Sequence, residues 1–131
     1  MNPETEKLLF YRGLLFGLRV AGEEEFLAEG AAFHRAFGAT MEFASRLFEG
    51  VDAIHPLECE VDPIFGVYPE ANEMLLEGEQ DTVLSLANPD LRRAKFEVDE
   101  GEARAELQRL PRPDLFEELG RHFKTALAEA A

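Results

Sequence analysis

The chain has 131 residues, 46% of them hydrophobic and 31% charged, with a net charge of −14 at pH 7. That mixture suits one soluble domain with its own core and excludes an intrinsically disordered chain. A single Cys excludes an internal disulfide, and so large a negative charge disfavours contact with nucleic acid or anionic lipid.

Asn2-Pro3 reads as an N-cap followed by proline in the first helical turn, with Glu4 and Glu6 at the positive end of the dipole. Leu and Phe dominate up to Val20, and Thr5, Arg12 and Arg19 recur every seven residues as one narrow polar stripe. A helix over about 3–20, buried on most of its circumference by the core or by a second subunit, is predicted. Gly13 and Gly17 leave a strand over Phe10–Val20 as the alternative. The apolar run Leu8–Ala21 carries two arginines and falls short of the roughly 20 apolar residues of a membrane span. With an acidic "MNPETEK" where a signal peptide needs basic residues, a cytoplasmic location is expected.

A second helix is predicted over about 23–49, opened by Glu23-Glu24-Glu25 and closed by Gly50. Phe26, Phe33, Phe37, Met41, Ala44 and Phe48 fall on one face at helical spacing, with Phe43 off it. His34 and His122 belong to no motif and read as surface or structural residues.

From residue 55 the period changes to two. Leu57, Cys59 and Val61 alternate with Glu58, Glu60 and Asp62, the pattern of a half-buried strand. "IFGVY" (64–68) is a second strand candidate. Residues 73–78 and 82–88 read as a hairpin across Glu79-Gln80-Asp81, with a short helix from Pro69 as the rival. "AKFEVDEGEARAEL" then alternates about Glu100-Gly101 as a two-residue hairpin would. That register pairs Phe96 with Ala105 on one face and Glu97 with Arg104 on the other. After Pro111 and Pro113, Asp114 caps a last helix over about 114–129, with Leu115, Phe116, Leu119, Phe123 and Leu127 along one side. The fold expected is a single α+β domain spanning 1–131. In it an antiparallel β-meander of about four to five strands, over residues 55–110, packs against two N-terminal helices and one C-terminal helix.

Chemistry concentrates between residues 51 and 90, which hold ten Asp and Glu and no Lys or Arg. On a strand Glu58, Glu60 and Asp62 share one face, where they would meet a divalent cation, a basic protein partner, or arginines of a neighbouring strand. Arg92, Arg93, Lys95, Arg104 and Arg109 could supply that pairing. His55 and Cys59 would lie roughly 13 Å apart on a strand, too far to share a metal. The lone thiol therefore reads as a small buried hydrophobe. His55 is the candidate pocket residue. No His-Glu-x-x-His, CxxC, Walker, GxSxG or GxGxxG motif occurs, and no cofactor is implied. The reading is a non-catalytic binding or interaction protein, acting as a homo-oligomer or on a basic partner, with neither nucleic acid nor membrane as its target. The alternatives are a small enzyme using His55 with the carboxylates of 58–62, and a carrier holding an apolar molecule between sheet and last helix.

Overall fold

The computed structural model describes residues 2–51, 54–55, 57–86 and 93–130. Among the described residues five helices and three short strands follow in the order α1 (Pro3–Val20), β1 (Glu25–Leu27), α2 (Gly30–Leu47), α3 (Pro69–Gln80), β2 (Leu84–Ser85), β3 (Arg93–Phe96), α4 (Glu100–Leu107) and α5 (Pro113–Ala130). The class is α+β, but the expected meander of four to five strands does not form, and the helices are not two before it and one after.

Helix α1 is the centre of the molecule, flanked by α3, α4 and α5. Asn2 accepts the Thr5 N–H at 2.8 Å, and Phe10, Tyr11 and Gly13 to Leu18 are buried. The core itself therefore covers the apolar cylinder, and the strand alternative for residues 10–20 is excluded. At the crossing with α5, Gly17 and Gly120 lie backbone to backbone, with no room for a Cβ on either. Three rings close one end of the core: Phe10 to Phe48 at 5.8 Å, Phe10 to Phe116 at 5.8 Å and Phe48 to Phe116 at 5.3 Å.

After Gly22 the acidic triplet does not begin a helix. Phe26 is drawn into a strand instead, opposite Ala94, and its ring lies among Phe33, Phe96 and Phe123 at 6.0–6.4 Å. Helix α2 starts only at Gly30. The sheet order is β1-β3-β2, all antiparallel, with Leu84 opposite Phe96 and Ser85 opposite Lys95.

The hairpin about Glu100-Gly101 is replaced by α4. Asp99 accepts the Glu102 N–H at 2.8 Å while the Glu102 carboxylate faces the Asp99 N–H, a complete capping box. Ala103 and Leu107, four residues apart, are both buried. Arg104 reaches Glu100 at 3.0 Å along the helix and Glu117 of α5 at 2.9 Å, rather than a cross-strand Glu97. Residues 57–62 belong to no strand and residues 63–65 form a turn; the expected hairpin over 73–78 and 82–88 gives way to its rival, a short helix from Pro69, which runs to Gln80. The end of that hairpin, residues 87–88, and Arg92 lie outside the described residues.

Helices α1 and α3 end in the same way, with different residues at the critical turn. In α1 the Gly22 N–H bonds to Arg19 O and the Glu23 N–H to Leu18 O, with Gly22 at φ +105°. In α3 the Thr82 N–H bonds to Glu79 O and the Val83 N–H to Gly78 O, with Thr82 at φ +58°. Both are Schellman turns, whose left-handed position suits glycine and strains a β-branched residue. Relief of the left-handed strain, about 1–2 kcal/mol, outweighs the added freedom of glycine in the unfolded chain. Thr82→Gly is therefore expected to raise the melting temperature by about 2–4 °C. Thermal unfolding followed by circular dichroism measures this; a fall would mean that Thr82 is held there without strain.

Candidate functional site

Between α2 and the irregular segment that follows it lies an open groove of about 720 Å³. Gly38, Met41, Glu42 and Ser45 line it from α2, His55 and residues 57–60 from the segment, and Tyr68 closes one end. Ile54, buried, anchors the segment, and Leu57 and Cys59 pack partly on the core. Their neighbours Glu58 and Glu60 are exposed on the other side. The period-two pattern is thus a real alternation of burial over 57–60, without the hydrogen-bonded ladder of a strand, and it breaks at Val61, which is exposed, and Asp62, which is half-buried.

Tyr68 is fixed from three directions. Its N–H donates to His34 Nδ1 at 3.0 Å, its ring stacks on His34 with centroids 6.5 Å apart, and Phe37 packs against it at 5.7 Å. Gly38 is the notch that receives it, since a Cβ there would stand 2.5 Å from the tyrosine Oη. Burial holds the His34 pKa below its ordinary value, and Nδ1 must keep its lone pair to accept the Tyr68 N–H. The unfolded chain binds this proton first, so stability falls as the pH drops through about 6.5 toward the depressed folded value. Thermal melts between pH 7.5 and 5 are expected to show that loss, and His34→Asn, whose carbonyl can also accept, is expected to flatten it. An unchanged slope would remove His34 as its source.

Behind the segment, Glu73 of α3 accepts from the Tyr11 hydroxyl at 2.9 Å and pairs with Lys7 at 2.7 Å. The hydrogen bond to Lys7 holds the Glu73 carboxyl below its usual range. Burial first, then the charge of Glu70, pushes the Cys59 thiol up to about 12. It is a protonated thiol at neutral pH, so neither a thiolate nucleophile nor a ready metal ligand.

The residues singled out in the sequence are only partly brought together. His55, its side chain 72% exposed, stands on the rim and meets Glu6 of α1 at 3.1 Å rather than a carboxylate of 58–62. Glu58 and Glu60 share the groove with Glu42. Asp62 turns away into its own loop, where its carboxylate accepts the N–H groups of Ile64 and Phe65 at 2.8 and 3.2 Å. The row of three is therefore a pair plus a turn former. Among the described residues no ion pair reaches Glu42, Glu58 or Glu60, and no group of three His, Cys, Asp or Glu could hold a metal ion. Arg93 pairs with Glu25 at 3.3 Å, and Arg104 and Arg109 with residues of α4 and α5, so these cations are engaged elsewhere. Sequence reasoning missed Gly38, Met41, Glu42, Ser45 and Tyr68. Only Gly38, a glycine inside a helical run, hinted that something packs closely there.

Where a carrier would need its cavity, a smaller cleft of about 360 Å³ lies beside β1 and the end of α5. Phe26, Leu27, Phe33 and Leu127 line it together with Glu23, Glu25, Arg93 and Lys124, a mixed rim of both signs. Among the described residues no helix is long and apolar enough to cross a membrane. No protein-family model, curated protein or solved structure matches the chain.

Proposed function

We propose that the chain is an interaction protein whose groove beside α2 takes a basic segment of a partner protein. The observation that carries this reading is the make-up of the groove: an apolar floor of Met41, Leu57, Cys59 and Tyr68 under a rim of Glu42, Glu58 and Glu60, with no Lys or Arg among its lining residues. Three like charges beside apolar surface favour a chain of alternating cationic and apolar side chains and disfavour an acidic one. Arg35 and Arg46 lie on α2 but outside the lining, and Lys7 is engaged by Glu73.

Rim charges contribute about 0.2–1 kcal/mol each, so losing three should weaken binding roughly tenfold. The test is a fluorescence-polarisation titration with a 14-residue peptide of alternating Lys and Leu. Binding in the micromolar range that weakens between 50 and 300 mM NaCl is expected. The triple variant Glu42→Gln, Glu58→Gln, Glu60→Gln should lose about tenfold, whereas Glu97→Gln, Glu118→Gln, Glu129→Gln, with the same net charge, should lose little. Equal losses in the two triples would reduce the interaction to net charge and sink the proposal.

A further inference from the structure

Both ends of the 61–67 loop run into the groove, through Glu60 on one side and Tyr68 on the other. Its tip carries Ile64 and Phe65, which are 82% and 78% exposed, with Val61 at 45% beside them. An isolated exposed hydrophobe is ordinary; two large adjacent ones on a fixed backbone are characteristic of contact surfaces. The loop is fixed. Besides the two N–H bonds that Asp62 Oδ1 accepts, the Asp62 N–H donates to Val67 O and the Gly66 N–H to Asp62 O, both at 2.8 Å. Pro63 restricts the entry, and Gly66 takes φ +67° at the exit. The tip is thus held in shape before any partner arrives, which lowers the cost of ordering it on binding.

We propose that Ile64 and Phe65 are the apolar anchor of the same docking site. The partner would be a Lys- or Arg-rich segment carrying large apolar residues, which cover the tip while its cations lie along the groove. This inference rests on the groove reading and adds the second half of the partner's chemistry. The charge around the tip selects that occupant. Glu58 and Glu60 line the groove that the loop joins, and the whole chain carries −14, so a second copy and an anionic membrane are both repelled.

The experiment compares three 14-residue peptides, Lys/Leu, Lys/Ser and Glu/Leu in alternation, on the wild type and on Ile64→Ser, Phe65→Ser. Because both side chains stand in solvent, this variant should melt with the wild type; Ile64→Ala, Phe65→Ala serves as a second form. The wild type should prefer Lys/Leu over Lys/Ser by at least tenfold, and the tip variants should lose that preference while binding Lys/Ser unchanged. A preference that survives in both tip variants overturns the anchor and leaves the groove reading standing. Loss of preference at the tip with no effect of the Glu42, Glu58, Glu60 triple upholds the anchor and sinks the groove. Glu/Leu binding as tightly as Lys/Leu, or no binding of Lys/Leu at all, overturns the basic partner. So does dimerisation at 100 μM in sedimentation that the tip variants abolish, or flotation of the wild type with phosphatidylcholine/phosphatidylglycerol vesicles.

Discussion

Gly120→Ala is expected to unfold much of the protein at room temperature or to leave it with a small fraction of its stability. A Cβ at Gly120 would overlap the main chain of Gly17 and Leu18, and a Cβ at Gly17 would overlap the carbonyl of Phe116. In both directions the obstacle is backbone inside a helix, so no side chain can swing aside and two helices must separate. Overpacking costs about 1–3 kcal/mol even where side chains can adjust, and here the cost should exceed that range. The helix-propensity gain from Gly to Ala, about 1 kcal/mol, does not offset it. Against a total of roughly 5–15 kcal/mol, such a loss is decisive. Gly101→Ala supplies the contrast. That residue is exposed in α4, near only the Asp99 carboxylate at 3.3 Å, and its variant should be as stable as the wild type or more stable by up to about 1 kcal/mol. Urea unfolding of both variants decides the matter. A Gly120→Ala midpoint at the wild-type value would mean that α1 and α5 do not pack backbone to backbone.

Phe116→Ala should cost about 3–5 kcal/mol, the range for emptying a buried aromatic site. Phe116 is fully buried, touches Phe10 and Phe48, and rests in the notch left by Gly13. A Cβ on Gly13 would stand 2.5 Å from Phe116 Cδ1 and 2.7 Å from Cζ, so Gly13→Ala alone should also destabilise. The two losses should not add. Once the ring is gone, alanine at 13 occupies part of the space and brings its helix propensity, so the double variant should be more stable than Phe116→Ala alone. A coupling of about 1–3 kcal/mol is expected from the four-protein cycle in urea. Simple additivity would show that ring and notch are independent.

The same glycines explain part of what the sequence disclosed and what it withheld. Asn2-Pro3 and the heptad of Thr5, Arg12 and Arg19 mark α1 through local chemistry, and they mark it in the structure too. Gly13 and Gly17 read as weaknesses in that helix because their value lies in a ring and a helix more than ninety residues away. The stretch 94–107 shows the opposite failure. Its alternation is compatible with a hairpin, but Asp99 and Glu102 are spaced as a capping box and Ala103 and Leu107 as a helical face. Two periods fit the same letters, and packing on α1 settles which survives. At the groove, Glu58 and Glu60 were legible as part of an acidic stretch without Lys or Arg, though not as unpaired. Glu42, Met41 and Tyr68 were not, because they reach it from α2 and from the far side of a loop, a juxtaposition that only the tertiary fold creates. Asp62 reads as one row with its two acidic neighbours although Asp62-Pro63 also marks a turn, and it is the turn that claims its carboxylate.

The crossing of the first and last helices also sets a timetable for synthesis. Helix α1 packs on α3, α4 and α5, so most of its partners are translated long after it. Between Val20 and the start of α5 at Pro113 the ribosome must add about ninety residues, roughly 5–20 s at ordinary elongation rates. During that interval Phe48, α3 and α4 supply only part of the native surface around Phe10, Leu14 and Leu18, and the part that α5 gives is missing. The nascent chain is therefore prone to aggregation, and in need of a chaperone, while α1 waits for α5, and that exposure should fall once α5 clears the exit tunnel.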